Sequence, residues 1–230
     1  MLSISEILQT KLLSTVKPCK ICERCQKRPA DGLLGRTCGA CDRKVQFEAL
    51  PPDQQELLLL SVVPKRYIVA EISHLKGLQE KFNSEIETGV LLWGTTGSGK
   101  TYAMCALCKK YMSEGFITKR VHYEVLCLQL RDTFNPKATE TEWGIIEPLI
   151  MCDKLFIEDV GVTKSIGEQE TDFSRRTFLV LLDIRMEQMK PTFITTNKSV
   201  ENLQASFDSR IGDRLRTFDI FQMKDKSRRK

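Results

Sequence analysis

Ile4, Ile7, Leu8 and Leu12 recur at helical intervals near the start of the chain, and Ser3 with Glu6 has the spacing of a capping box. This predicts a short amphipathic helix over 3–16, ended by Pro18. Further on the pattern becomes an alternation of short apolar runs and longer amphipathic stretches. It predicts a helix over 75–87, a strand over 89–93, a helix over 99–113, a strand over 120–124 and a helix over 124–134. A strand over 154–158, a long helix over 170–188, a strand over 192–196 and two short helices between 199 and 216 follow. Such alternation is the signature of an α/β fold in which helices cover both faces of a parallel sheet. Pro51-Pro52-Asp53 and the polar Gln54, Gln55 and Glu56 form a linker or short helix. The domain boundary is placed there, with a small module over 1–50 and the main domain over 51–230.

Composition narrows the picture. The 230 residues are 41% hydrophobic, enough for one ordinary core and an appendage but not for two large domains. The longest apolar run, Leu57 to Val63, is far below the roughly 20 residues that cross a bilayer. Glu6, Gln9 and Lys11 stand where a signal peptide would be apolar, so the expectation is a cytoplasmic protein without membrane contact. A formal charge of +5 points only weakly to nucleic acid.

The strongest chemical signal is Gly94-Thr95-Thr96-Gly97-Ser98-Gly99-Lys100-Thr101, a full GxxxxGK[ST] match between an apolar segment and a helical one. Its glycines let backbone N–H groups turn inward around a phosphate chain, at the positive end of the following helix. Lys100 is assigned to the β- and γ-phosphates of ATP and Thr101 to Mg²⁺. Leu155-Phe156-Ile157-Glu158-Asp159-Val160-Gly161 supplies a buried strand that ends in two carboxylates. Thr192 to Asn197 is another buried strand with a polar end, where the uncharged Asn197 amide can orient water against a γ-phosphate.

These segments, followed by Ser209-Arg-Ile-Gly-Asp-Arg-Leu-Arg216, resemble the DnaC/IstB-like branch of AAA+ ATPases, which includes bacterial and phage helicase loaders. Val63-Pro64-Lys65-Arg66-Tyr67 is similar to that family's lead-in, and the likeness covers about residues 60–230. It implies a P-loop AAA+ core without a C-terminal lid. Lys100 and Thr101 would form Walker A. Glu158, as Mg²⁺ ligand, and Asp159, as catalytic acid, would form Walker B, with Asn197 as first sensor. Arg214 would be the arginine finger that completes a neighbouring subunit's site, with Arg210 and Arg216 as competitors. Arg229, next to Arg228, would be the second sensor, although Asp225 replaces the family's usual glycine before Ser227. The family usually has Asp-Glu or Asp-Asp at Walker B, so Glu158-Asp159 implies slow hydrolysis. The implied activity is ATP-dependent loading of a hexameric, DnaB-like replicative helicase onto single-stranded DNA, with self-association through the ATPase domain. The alternative is an IstB-like transposition ATPase on duplex DNA.

Cys22-x2-Cys25-x12-Cys38-x2-Cys41 has the paired knuckles of a structural zinc site, with Cys19 as a competing ligand. Lys17, Lys20, Arg24, Lys27, Arg28, Arg36, Arg43 and Lys44 surround it, either as a nucleic-acid face or as compensation for four thiolates. Resemblance to loaders adds a third use, docking on the helicase through the N-terminal region. Lys109, Lys110, Lys119 and Arg120, together with the basic tail 224–230, are candidate contacts to single-stranded DNA. Cys105, Cys108, Cys127 and Cys152 are read as core packing.

Overall fold

The computed structural model describes residues 20–32, 35–162 and 170–224. The predicted helix over 3–16, Cys19, Arg228 and Arg229 lie outside them. The elements are α1 (Gly39–Ala49), α2 (Pro52–Leu60), α3 (Gln79–Asn83), β1 (Gly89–Gly94), α4 (Lys100–Ser113), β2 (Thr118–His122) and α5 (Tyr123–Asp132). They continue with α6 (Glu142–Met151), β3 (Lys154–Glu158), α7 (Asp172–Glu187), β4 (Thr192–Thr196), α8 (Val200–Ser206), α9 (Ser209–Leu215) and β5 (Asp219–Met223).

The five strands form one sheet in the order β2-β3-β4-β1-β5, and every pairing is parallel. Side chains alternate across it. Val90 and Leu92 of β1, with Phe156 and Phe193, face α4 and the segment that precedes β1. Leu91, Ile157 and Ile194 face the opposite layer, built from α5 to α9. Phe156 and Phe193 stack with centroids 4.5 Å apart, locking the two central strands beneath α4.

Several boundaries differ from the sequence expectation. The helix expected over 75–87 is a single five-residue turn, α3, preceded by a 3₁₀ turn at Ile72–His74. β2 runs two residues earlier than predicted, over Thr118–His122, and α5 begins at Tyr123. The unforeseen α6 forms although it contains Gly144 and Pro148, because Thr141 Oγ1 accepts from the Gly144 N–H at 3.0 Å and Ile146, Leu149 and Ile150 are buried. The edge strand β5 was also not foreseen.

The cysteine-rich module rests on the edge of this core. Arg43 donates to the Gly115 carbonyl at 2.6 Å and pairs with Asp153 at 3.0 Å, while Lys27 and Arg28 both reach Glu85, at 2.8 and 3.1 Å. Gly115 approaches so closely that an added Cβ would lie 2.1 Å from the Ala40 carbonyl. Glu85 and Asp153 precede β1 and β3, so the module sits at the end of the sheet where these strands begin.

Candidate nucleotide site and cysteine cluster

At the other end of the sheet, β1 stops at Gly94, where an added Cβ would lie 2.3 Å from the Met223 carbonyl oxygen, so no side chain fits. Gly99 is the N-cap of α4 with φ 93°, a conformation that glycine adopts freely. Between them the chain wraps the start of a 14-residue helix, whose free N–H groups and dipole favour an anion. Lys100 Nζ donates to the carbonyls of Gly94, at 2.8 Å, and Thr95, at 2.9 Å, and so lies across its own loop.

A cavity of about 610 Å³ opens in front of this loop, within the range of roughly 300–1,000 Å³ that suits a ligand. Thr96 to Tyr102, Asp159 and Asn197 line it, together with an apolar wall of Tyr67, Leu75, Leu78 and Met223. Arg66, His74 and Lys76 are at its rim, and Tyr102 Oη lies 2.7 Å from His74 Nδ1. That wall offers a base-sized surface beside the phosphate loop. His74 is thus held at the cavity, a placement that only folding of the 66–78 segment over α4 reveals.

Three of the sequence-predicted site residues are joined here by short links. Asn197 Nδ2 donates to Thr96 Oγ1 at 3.3 Å, tying the end of β4 to the glycine loop. The Asp159 N–H donates to Thr195 Oγ1 at 3.0 Å, and Thr196 Oγ1 donates to the Val160 carbonyl at 2.8 Å, so β4 braces the acidic turn. Asp159 has φ 55°, a left-handed conformation that Asp tolerates better than most residues, which gives a backbone reason for the shorter acid here. Asp159 lines the cavity, and its carboxylate lies 3.4 Å from His122 Nε2.

Glu158 is placed differently. It is buried, and its carboxylate takes a two-point pair from Arg120, Nε to Oε1 at 3.1 Å and Nη2 to Oε2 at 2.5 Å. Burial raises the Glu158 carboxyl above its ordinary range, and the Arg120 guanidinium works against that rise. Arg120 is therefore not the free phosphate contact that its position in a basic run suggested. Lys109 is bonded to the Ile68 carbonyl and Lys110 is paired with Glu114 at 3.4 Å, which leaves only Lys119 of those four exposed.

Arg214 does not line the cavity; its guanidinium pairs with Asp183, Nε to Oδ1 at 2.5 Å. Arg210 and Arg216 are paired with Asp208 and Asp213. Thr101 lines the cavity with Asp159, so hydroxyl and carboxylate oxygens suited to Mg²⁺ share one wall.

The Sγ atoms of Cys22, Cys25, Cys38 and Cys41 all lie within 4.8 Å of one another, and Cys25 and Cys38 are 3.9 Å apart. Metal–sulfur bonds of about 2.3 Å in a tetrahedron require about 3.8 Å between sulfurs, so the four thiols fit one ion. The first knuckle lies in a small hairpin closed by the Ile21–Pro29 bridge and the Cys22 N–H to Arg28 carbonyl bond at 2.8 Å. The second rides on the start of α1, with Cys38 as its N-cap. The Cys25 N–H holds the Cys22 thiol down at about 6, whereas burial pushes Cys41 up to about 12. The basic residues around the cluster mostly bind this chain. Arg24 donates to the Cys41 carbonyl and Arg28 to Cys38 Sγ, while Lys27, Arg28 and Arg43 anchor the module to core acids.

The family model described as Type III restriction enzyme, res subunit, matches residues 64–213, a span that contains the glycine loop, the acid pair and Asn197. The chain belongs to this P-loop ATPase family. Within the P-loop proteins its relatives are of the DnaC type. It is similar to the replicative helicase loader DnaC of Escherichia coli (strain K12), 23% identical over 145 residues that make up 63% of this chain and 56% of the relative. It is likewise similar to the replicative helicase loader DnaI of Bacillus subtilis (strain 168), 23% identical over 143 residues, 60% of this chain and 43% of the relative. The chain thus spans about half the length of the curated relatives it matches. A crystal structure of the DnaC helicase loader shares its fold, with a TM-score of 0.58 at 17% identity over 70% of this chain and 99% of that one. The protein is thus a P-loop ATPase that is similar in sequence to DnaC and DnaI and in fold to a DnaC structure, with a compact four-cysteine cluster beside its core. Among the described residues of this P-loop ATPase no helix is long and apolar enough to cross a membrane.

Proposed function

We propose that this chain is an ATP- and Mg²⁺-dependent loader of a hexameric, DnaB-like replicative helicase onto single-stranded DNA in the cytoplasm. The observation that carries the reading is the convergence of Lys100, Asp159 and Asn197 on one cavity in a core whose curated relatives are helicase loaders. The backbone N–H groups and Lys100 would hold the phosphates, and Thr101 and Glu158 would hold Mg²⁺, which would supply charge neutralisation on the transferring phosphate. Asp159 accepts a proton from the attacking water while Asn197 keeps that water oriented. Arg229 is the second sensor in this reading.

The experiment is a mass measurement by light scattering on the chain mixed with the hexameric replicative helicase of its own host, with and without ATP. A complex of defined stoichiometry that needs ATP and is lost in Lys100→Ala supports loading. Absence of a complex, with ATP-dependent binding of duplex DNA instead, moves the reading to an IstB-like transposition ATPase.

The cysteine cluster is proposed to hold one structural zinc, because four thiolates close a tetrahedral site and leave no position for substrate. Metal analysis of the purified chain is expected to give one zinc per chain, and Cys38→Ser is expected to lose it. In that variant protease cleavage within the α1 region should accelerate by about tenfold or more, since metal binding and module folding are one equilibrium. Nucleotide affinity should be retained. A chain free of zinc with an intact module rules this assignment out.

A further inference from the structure

Both carboxylates of the acid pair face a basic side chain of the edge strand β2. Arg120 grips Glu158 with two hydrogen bonds, and His122 Nε2 lies 3.4 Å from Asp159. The register explains this. β2 runs parallel to β3 with Arg120 beside Phe156 and His122 beside Glu158, and residues two apart on a strand share a face. The positive φ at Asp159 then turns the chain so that the second carboxylate meets His122.

Cys105 of α4 is buried in the layer that covers Phe156. Thr101 is one helical turn before Cys105, on the same face of α4. Arg120 and Glu158 lie on the face of the sheet that carries Phe156 and that α4 covers. A two-point guanidinium–carboxylate pair with side chains only 20% and 4% exposed is among the stronger ionic contacts a protein makes. No oxygen of Glu158 is left outside it.

We propose that Arg120 is a positioning residue that competes with nucleotide-bound Mg²⁺ for the Glu158 carboxylate, and so sets how much Mg²⁺ the site requires. This rests on the reading of the cavity as an ATP–Mg²⁺ site. Without nucleotide the guanidinium neutralises the buried acid. When Mg²⁺ arrives with the nucleotide, Glu158 exchanges one cationic partner for another, and the lost pair weakens the net attraction for the metal. Neither Arg120 nor Glu158 lines the nucleotide cavity, so Arg120 acts on the metal only by holding Glu158 back from it.

The test follows binding of a fluorescent N-methylanthraniloyl ADP to the full chain at pH 8, first in EDTA and then across a Mg²⁺ titration. In Arg120→Gln, affinity in EDTA is expected to match the wild type within about twofold. The Mg²⁺ midpoint is expected to fall about tenfold, equivalent to about 1.4 kcal/mol. Arg120→Lys, which keeps the charge and loses the two-point fork, is expected to fall between the two, and it also carries the test if the glutamine variant does not fold. A Mg²⁺ midpoint that stays put or rises in both variants overturns the proposal. Wild-type protein that fails to bind the nucleotide even in EDTA removes the ATP-site reading itself, a distinct failure.

Discussion

Arg214→Ala is expected to lower ATP turnover by about three orders of magnitude while leaving nucleotide affinity unchanged, the loss typical of removing an arginine finger. The geometry gives the reason. Arg214 is at the end of α9 and outside the cavity that gathers Lys100, Asp159 and Asn197, so it has no route to the phosphates of its own subunit. Its pair with Asp183 does not immobilise it, because both side chains are about a third exposed, at 31% and 34%, and such a pair is worth only about 0–1 kcal/mol. A neighbouring subunit's γ-phosphate, with more charge and oxygens that accept from two guanidinium N–H groups, can draw the guanidinium away. Turnover per chain should therefore rise with protein concentration in the wild type and stay flat in Arg214→Ala. Wild-type turnover in the variant at every concentration would sink the assignment and pass the role to Arg210, whose side chain is 66% exposed.

The chemistry that reads most clearly from sequence is the chemistry that is contiguous. The glycine loop needs eight successive residues and a strand and helix on either side, and all of that is written in order. The acid pair and Asn197 are legible for a similar reason, since each terminates a wholly buried strand and buried parallel strands appear as unbroken apolar runs. The two edge strands are where the pattern fails. β2 reads Thr-Lys-Arg-Val-His and β5 reads Asp-Ile-Phe-Gln-Met, and neither is apolar enough to show a run, because only one side of each is paired within the sheet. Misplacing β2 by two residues also hid the function of its side chains. Arg120 looks like one charge in a basic stretch until β3, more than thirty residues later, is laid beside it. The position of the cysteine module is hidden in the same way. Its spacing gives the ligands, but only the folded chain shows Arg28, Lys27 and Arg43 reaching Glu85 and Asp153 at the opposite end of the sheet from the nucleotide cavity.

Arg185→Met should cost on the order of 4 kcal/mol in stability, a large share of the 5–15 kcal/mol that holds an ordinary domain together. Arg185 is fully buried near the end of α7, and Asp153 acts on its charge only from a distance, without an ion pair between them among the described residues. Its partners are mostly main-chain oxygens, joined by the Thr192 hydroxyl and by Cys152 Sγ at 3.4 Å. Nη1 donates to the carbonyls of Leu149, Ile150 and Cys152 at 2.7, 3.1 and 2.9 Å, while Nη2 reaches the Pro191 carbonyl at 2.8 Å and Nε reaches Thr192 Oγ1 at 2.9 Å. The last carbonyls of any helix lack partners within it; in α6 those of Leu149 and Ile150 are buried on Arg185, while Lys190 Nζ reaches Ile150 and the exposed Met151. One planar guanidinium thus closes α6 and fastens it to the start of β4. Burial pulls the guanidinium below its ordinary pKa, but it remains charged because the surrounding carbonyl dipoles replace its hydration. Methionine keeps the volume and length and leaves several buried oxygens unbonded. Thermal unfolding followed by circular dichroism should show a midpoint lower by about 10 °C for a chain of this size. Nucleotide affinity measured well below that midpoint should persist, because the cavity is at the far end of the sheet. A shift under about 2 °C would mean that the carbonyls find other donors, and that Arg185 is not the cap that the geometry describes.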